Sequence, residues 1–168
     1  TKLKNIKTLE AIRSEVETLN HFGLSVDCVI FGFDENKHQV LLMRSDLKKY
    51  QSKWSLLGDL VKPQEDLDAA AYRILKQRTG LDDVYLEQVY TFGKTTRHPG
   101  GRVVTVAYCS LINIQHYKIK ILDNELHWHD VASVKDRAFD HKKIFDLSIQ
   151  RLQKRVQDHP LVFSLLPK

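Results

Sequence analysis

Apolar positions recur along this chain with two periods, and each period predicts a different element. Leu9, Ile12, Val16 and Leu19 fall three, four and three residues apart, the spacing of one face of a helix. Leu24 to Phe33 (LSVDCVIFGF) and Val40 to Met43 are near-continuous apolar runs. They predict two strands joined by the polar turn Asp34-Glu35-Asn36-Lys37. A loop carrying Lys48, Lys49 and Lys53 then leads to a short strand, Trp54 to Leu57. Gly58 to Glu65 is expected to be irregular, because Pro63 disfavours a helix there. Leu67 to Thr79 is predicted helical, with Asp66 as N-cap and Asp68 favouring the first turn. Ala69-Ala70-Ala71 favours the same helix, and Gly80 is placed to close it.

Two longer strand-like runs follow, Val84 to Phe92 and Val103 to Ile114, split by a loop from Gly93 to Gly101. A shorter pair is expected around Ile119 to Ile121 and Leu126 to Trp128. The last helix, Asp140 to Gln157, turns Phe145, Ile149, Leu152 and Val156 to one face. Lys142, Lys143, Lys154 and Arg155 are left to solvent. This order predicts an α/β (α+β) fold in a single domain: a mixed sheet with helices on its faces, not a regularly alternating parallel one. The chain divides into a helical segment (1–21), a body (22–157) and a tail (158–168).

Composition narrows the class. The chain has 168 residues, 42% apolar and 28% charged, which is ordinary globular usage. No apolar stretch approaches the roughly 18 residues of a membrane span, and the N-terminus shows no apolar leader. A cytoplasmic protein without a membrane partner is therefore expected. Cys28 and Cys109 sit inside apolar runs without metal-type spacing, so two buried free thiols are expected. The net charge of +5 is not spread evenly. Residues 21–134 hold fourteen basic and fourteen acidic side chains, whereas 135–168 hold eight Lys/Arg against four Asp. The excess belongs to the C-terminal end, unlike that of a uniformly basic nucleic-acid binder.

Residues 58–81, GDLVKPQEDLDAAAYRILKQRTGL, carry the chemistry and resemble the Nudix box. In that pattern a glycine, five residues and Glu are followed, after seven more, by Arg-Glu, an aliphatic, any residue, Glu-Glu, any residue, Gly and an aliphatic. Glu65, Arg73, Leu75, Gly80 and Leu81 match, and Asp59 takes the glycine position. Ile74, Gln77 and Arg78 stand where the three later glutamates belong. Helical spacing of i, i+3 and i+4 groups those positions, where carboxylates would bind Mg²⁺ through oxygen. Isoleucine offers no ligand, glutamine a neutral oxygen, and arginine a fixed cation. The resemblance thus implies a structural box, Asp59, Glu65, Arg73 and Gly80, in which Glu65 and Arg73 brace loop against helix. It implies no catalytic residue, no metal and no cofactor.

The flanking runs Val29 to Arg44, Trp54-Ser55-Leu56, Val89 to Gly93 and Arg102 to Tyr108 resemble the strands around a Nudix box. Trp128, Phe139-Asp140-His141, Ile144 and the tail Pro160 to Pro167 are similar to the Nudix-related transcriptional regulators of bacteria. That resemblance covers residues 22–168. It implies an inactive Nudix-like domain that senses an effector for NAD or sugar metabolism, arabinose included. The effector is a sugar or a nucleotide sugar of the ADP-ribose type. A homodimer is implied as well, with DNA bound through a winged helix that would begin about where this chain stops. The first residue is Thr1, which is compatible with an excised sensor domain and equally with a naturally short protein. The basic last helix would then lend a salt-sensitive attraction to phosphate, or would simply be a solvated face.

Candidate ligand-binding residues are Arg44 at a strand end, Arg97, His98 and Arg102 around the Pro99-Gly100-Gly101 turn, and the aromatics Trp54 and Phe92. The alternative is an active ADP-ribose pyrophosphatase-like Nudix hydrolase using Mg²⁺ held elsewhere, Glu87 being the nearest spare carboxylate. A third reading is a domain kept for dimerisation alone. His127 and His129 share a face around Trp128 but lack a third ligand at metal spacing. His141 is read as an anchor of the last helix. No nucleophilic triad, P-loop or dinucleotide fingerprint is present.

Overall fold

The chain is described by a computed structural model over residues 8–19, 21–34, 37–48, 52–117, 119, 126–134 and 140–158. The central strand, β1 (Gly23–Asp34), is buried over Val26 to Gly32. A strand covered on both faces needs such a continuous apolar run. One edge of β1 pairs in parallel with β6 (Val103–Asn113), from Gly23 opposite Val103 to Phe33 opposite Asn113. The other edge is divided. Ser25 to Cys28 pair with β4 (Leu57–Leu60), and Phe31 to Asp34 pair with β2 (Lys37–Arg44), both antiparallel. Strand β3 (Trp54–Ser55) and β7 (Leu126–Asp130) pair with β2, and β5 (Glu87–Phe92) lies outside β6.

Successive β1 side chains alternate between two cores. Val26, Cys28 and Ile30 share a cluster with Ala70, Ala71, Ile74 and Leu75 of α2 (Leu67–Thr79). Val29 and Phe31 share the other with Ile144 and Phe145 of α3 (His141–Asp158), where the Phe31 and Phe145 ring centroids are 5.6 Å apart. The mixed sheet between helices is the fold expected from the sequence. Cys28 and Cys109 are buried free thiols in these two separate clusters, and burial pushes Cys109 up to about 12. Among the described residues no helix is long and apolar enough to cross a membrane.

Helix α2 spans the predicted residues, and Gly80 ends it with φ 75° and an N–H donated to the Lys76 carbonyl at 2.8 Å. Asp66 occupies the N-cap position, but its side chain makes no capping bond. Asp68 instead accepts the Tyr108 hydroxyl at 2.5 Å. The expected irregular stretch from Gly58 is corrected to strand β4, because the backbone of 57–60 is recruited by the free part of the β1 edge. Gly58 is required there: a Cβ would stand 2.2 Å from Asp27 Oδ1. Strand β5 begins at Glu87, later than expected, although Val84 and Leu86 are buried before it.

The first helix, α1 (Leu9–Leu19), forms as predicted, with its apolar face exposed: Leu9 is 85%, Ile12 44% and Val16 55% accessible. Lys142, Lys143 and Lys154 are exposed on α3, whereas Arg155 pairs with Glu87. Most of the expected 119–121 strand, the side chain of Val156 and the tail 159–168 lie outside the described residues.

Candidate functional site

The divided β1 edge has a cavity against it. Asp27 of β1, Met43 of β2, Ser55 of β3 and Gly58 to Leu60 of β4 line a space of about 820 Å³. The loop from Arg97 to Val103 and the first residue of α3 complete it.

A buried charged cluster forms the floor. Asp27 lies on the α3 face of the sheet and Thr105 donates its hydroxyl to Asp27 Oδ2 at 2.7 Å. Arg97 donates Nε and Nη2 to the two carboxylate oxygens of Asp140 at 2.8 and 2.7 Å. Its Nη2 also stands 3.9 Å from Asp27 Oδ2, and its side chain is 4% exposed. His141 Nε2 faces Asp27 Oδ1 at 3.6 Å. On the opposite side of that ring, the Leu56 amide donates to Nδ1 at 3.1 Å. An amide only donates, so Nδ1 carries the lone pair and the single ring proton sits on Nε2, toward Asp27. Burial holds His141 below its ordinary value, against the pull of Asp27 and Asp140. Two carboxylates, one guanidinium and a neutral imidazole leave the floor one negative charge.

The box is the second cluster. Arg73 grips Glu65 in a fork, Nε to Oε1 at 2.6 Å and Nη2 to Oε2 at 2.9 Å. Glu65 Oε2 also accepts the Lys62 amide at 3.0 Å. These bonds, chiefly the one from Arg73, lower the Glu65 carboxyl to about 2. Arg73 further donates to Leu60 O at 2.9 Å, Gln77 Oε1 at 3.2 Å and Asp59 Oδ2 at 3.3 Å. Asp59 thus joins the brace from the glycine position.

The three replaced positions are not presented alike. Ile74 is 1% exposed in the α2 core, because it lies at the inner margin of the helix. Gln77 is exposed, while Arg78 reaches out to Asp46 of the cavity wall, Nη2 to Oδ2 at 2.7 Å. The shared face expected from spacing is corrected to 77 and 78. Among the described residues no group of three or more His, Cys, Asp or Glu side chains is placed to hold a metal ion. Glu87, considered as a spare ligand, is paired with Arg151 at 3.4 Å and with Arg155 of α3. It is thereby committed to the opposite side of the sheet from α2.

Of the ligand candidates, Arg97, His98 and Arg102 line the cavity together. Arg97 is no solvated loop residue but part of the floor. His98 Nδ1 accepts the Gly100 amide at 3.1 Å, and burial, aided by Arg97, holds it below its ordinary value. The Arg102 guanidinium lies 5.5 Å from the Phe22 ring at the mouth. Arg44, Trp54 and Phe92 are not among the lining residues. Arg44 stacks on Trp54 at 3.9 Å, Trp54 meets His129 at 4.1 Å and His127 at 5.8 Å, and Phe92 meets Tyr90 at 5.2 Å. Sequence reasoning missed Asp27, Thr105 and Asp140. One signal pointed to Asp27: it is the single charge in the apolar run LSVDCVIFGF.

A mixed sheet between two helices, with a Glu-Arg-braced strand–loop–helix beside a cavity, defines a Nudix fold. Residues 21–147 match the NUDIX domain, and the chain belongs to that family. It is 36% identical to an ADPR responsive transcriptional repressor, NtrR, of Acinetobacter baylyi over 149 residues. That match covers 86% of this chain and 60% of the repressor, so the chain spans less than two thirds of that relative. An ADP-ribose pyrophosphatase of Methanocaldococcus jannaschii is 25% identical over 126 residues, 74% of this chain and 71% of the other. Among solved structures, the NUDIX domain of Shewanella oneidensis NrtR complexed with ADP ribose superposes with a TM-score of 0.72. It is 26% identical, covering 88% of this chain and 99% of that one. NrtR of the same organism complexed with a 27mer DNA gives 0.71 at 28% identity, covering 79% and 63%.

Proposed function

We propose that this chain is a non-catalytic Nudix domain that senses ADP-ribose, or a close nucleotide sugar, for a bacterial transcriptional regulator. The observation that carries the reading is Arg78. A hydrolase of this family would need a carboxylate there for Mg²⁺; here a cation is held on the cavity wall by Asp46. A diphosphate meeting Arg78 and Arg102 would find guanidinium groups of the protein in place of a metal, with nothing there to activate water. The similarity to an ADPR responsive repressor and to an ADP-ribose-bound Nudix domain favours a nucleotide sugar over free arabinose as the effector.

In this reading 22–157 is the sensor, 1–21 a helical extension, and 158–168 leads toward a DNA-binding domain. The regulator works in the cytoplasm, as a homodimer, on genes of NAD or sugar metabolism. The ligand switches DNA affinity by binding two dimer arrangements unequally. Titration calorimetry with ADP-ribose, with and without EDTA, tests the proposal. Binding is expected in both, and no AMP is expected on prolonged incubation with Mg²⁺ or Mn²⁺. Turnover that disappears in Glu65→Gln would overturn it in favour of a pyrophosphatase.

A further inference from the structure

The arginines around the cavity differ in how firmly they are held. Arg97 is buried and forks onto Asp140. Arg73 is spent on Glu65, Asp59, Gln77 and the Leu60 carbonyl. Arg78 is held by far less. Among the described residues it makes one hydrogen bond, from Nη2 to Asp46 Oδ2 at 2.7 Å. Its side chain is 30% exposed and that of Asp46, which lines the cavity, is 62% exposed.

Both partners stand on fixed backbone, and the bond between them is the replaceable part. Arg78 lies in the last turn of α2, a helix anchored by buried Ile74 and Leu75 and closed at Gly80. Asp46 follows Ser45, whose amide donates to the Lys53 carbonyl at 3.1 Å, two residues beyond the end of β2. An ion pair so open to water contributes little, because solvent replaces either partner. A diphosphate is the stronger partner for a guanidinium. It offers paired oxygens that match the planar fork, and it carries more negative charge than one carboxylate. Asp46, once displaced, is left in water at small cost.

We infer that Asp46 is a built-in competitor of the ligand: it holds the Arg78 guanidinium, and the diphosphate of the effector takes its place. The inference rests on the ADP-ribose reading above and adds to it an autoinhibitory contact within the same site. Asp46 then sets the concentration at which the effector is noticed. A neutral sugar has no anion to exchange for the carboxylate, so the pair also favours diphosphates.

The test is titration calorimetry with ADP-ribose at low ionic strength on the 168-residue chain, on Asp46→Asn, on Arg78→Gln and on the double variant. Asp46→Asn is expected to bind about threefold tighter, the range of an exposed ion pair. Arg78→Gln is expected to bind about tenfold weaker, the range of a hydrogen bond to a charged group. In the Arg78→Gln background, Asp46→Asn is expected to add nothing, because no guanidinium is left to release. Unchanged or weaker binding by Asp46→Asn would overturn the competition and leave the sensor reading intact. So would an equal gain in the Arg78→Gln background, which would mean that Asp46 acts only as a charge on the wall. Asp46→Ala repeats the test at this exposed position should the amide variant fail to fold. No binding of ADP-ribose by the unsubstituted chain would overturn both readings.

Discussion

The box brace and the cavity floor are both clusters of arginine and carboxylate, and they differ in what surrounds them. The brace is drawn from residues 59–77, within one strand–loop–helix; its central pair is half-buried, Arg73 at 15% and Glu65 at 12%, and its outer member Asp59 is 51% exposed. The floor takes Asp27, Arg97, Thr105, Asp140 and His141 from across the chain, with Arg97 at 4% and Asp27 at 8% exposure. A pair near water gains little and loses little, since solvent replaces either partner. A buried pair contributes small net stability when complete, yet is expensive to break, because the survivor keeps its charge in a poor solvent. The brace holds a shape; the floor holds a field.

Arg97→Ala puts the sharpest strain on that contrast. It leaves Asp27 buried beside the half-buried Asp140 with no guanidinium between them, and a loss of about 3 kcal/mol in urea unfolding is expected. A loss under about 1 kcal/mol would mean that water enters freely, and the floor would then resemble the brace. Glu65→Gln, the matching cut in the brace, is expected to lower Tm by only a few degrees in differential scanning fluorimetry. Its effect should shrink in high salt, while that of Arg97→Ala persists.

Acid separates the clusters again, with Tm followed across pH. His141, His98 and His129 are held by burial below their ordinary value of 6.5, so the unfolded chain binds protons that the folded chain refuses. Stability from these groups is complete above about pH 6.5 and falls as pH drops below it toward their lower folded values. The Glu65 contribution is present above its ordinary value of 4.5 and fades only as pH falls from there toward about 2. Tm should therefore begin to fall near neutrality, before the brace is touched. A flat profile between about pH 7 and 5 would contradict the neutral histidines.

Gln77→Glu combined with Arg78→Glu should change stability by less than about 1 kcal/mol and give Mg²⁺ binding, measured by calorimetry. Ile74 is left alone, since a carboxylate there would enter the α2 core. No gain in metal binding would refute the account of the box. Lys142→Ala, breaking an exposed pair with Asp146, is the reference for negligible effect, within about 0.5 kcal/mol.

How legible each region was follows from how local it is. Helix α2 and the brace were readable because alanines, Gly80 and the Glu65-to-Arg73 spacing all act within one segment. Strand β4 was missed because its cause lies in the β1 edge rather than in residues 57–60. Arg97 looked like a loop cation beside Pro99-Gly100-Gly101; only the fold brings it to Asp140. Glu87 looked available for the same reason, until α3 supplied Arg151 and Arg155. Asp27 was missed although it carried a local signal, a charge inside an apolar run.

The fork in the partnership of β1 has a consequence for how such a protein changes over generations. The hollow is framed by main-chain pairing, β4 on one stretch and β2 on the next. Side chains beside it, such as Arg102 in its lining and Arg78 on the lining residue Asp46, take no part in that pairing. Replacing them alters what the hollow does while the scaffold's stability stays nearly constant. In the sensor reading proposed above, a lineage passes from cutting a molecule to merely noticing it by substitutions beside the hollow, the paired scaffold being kept.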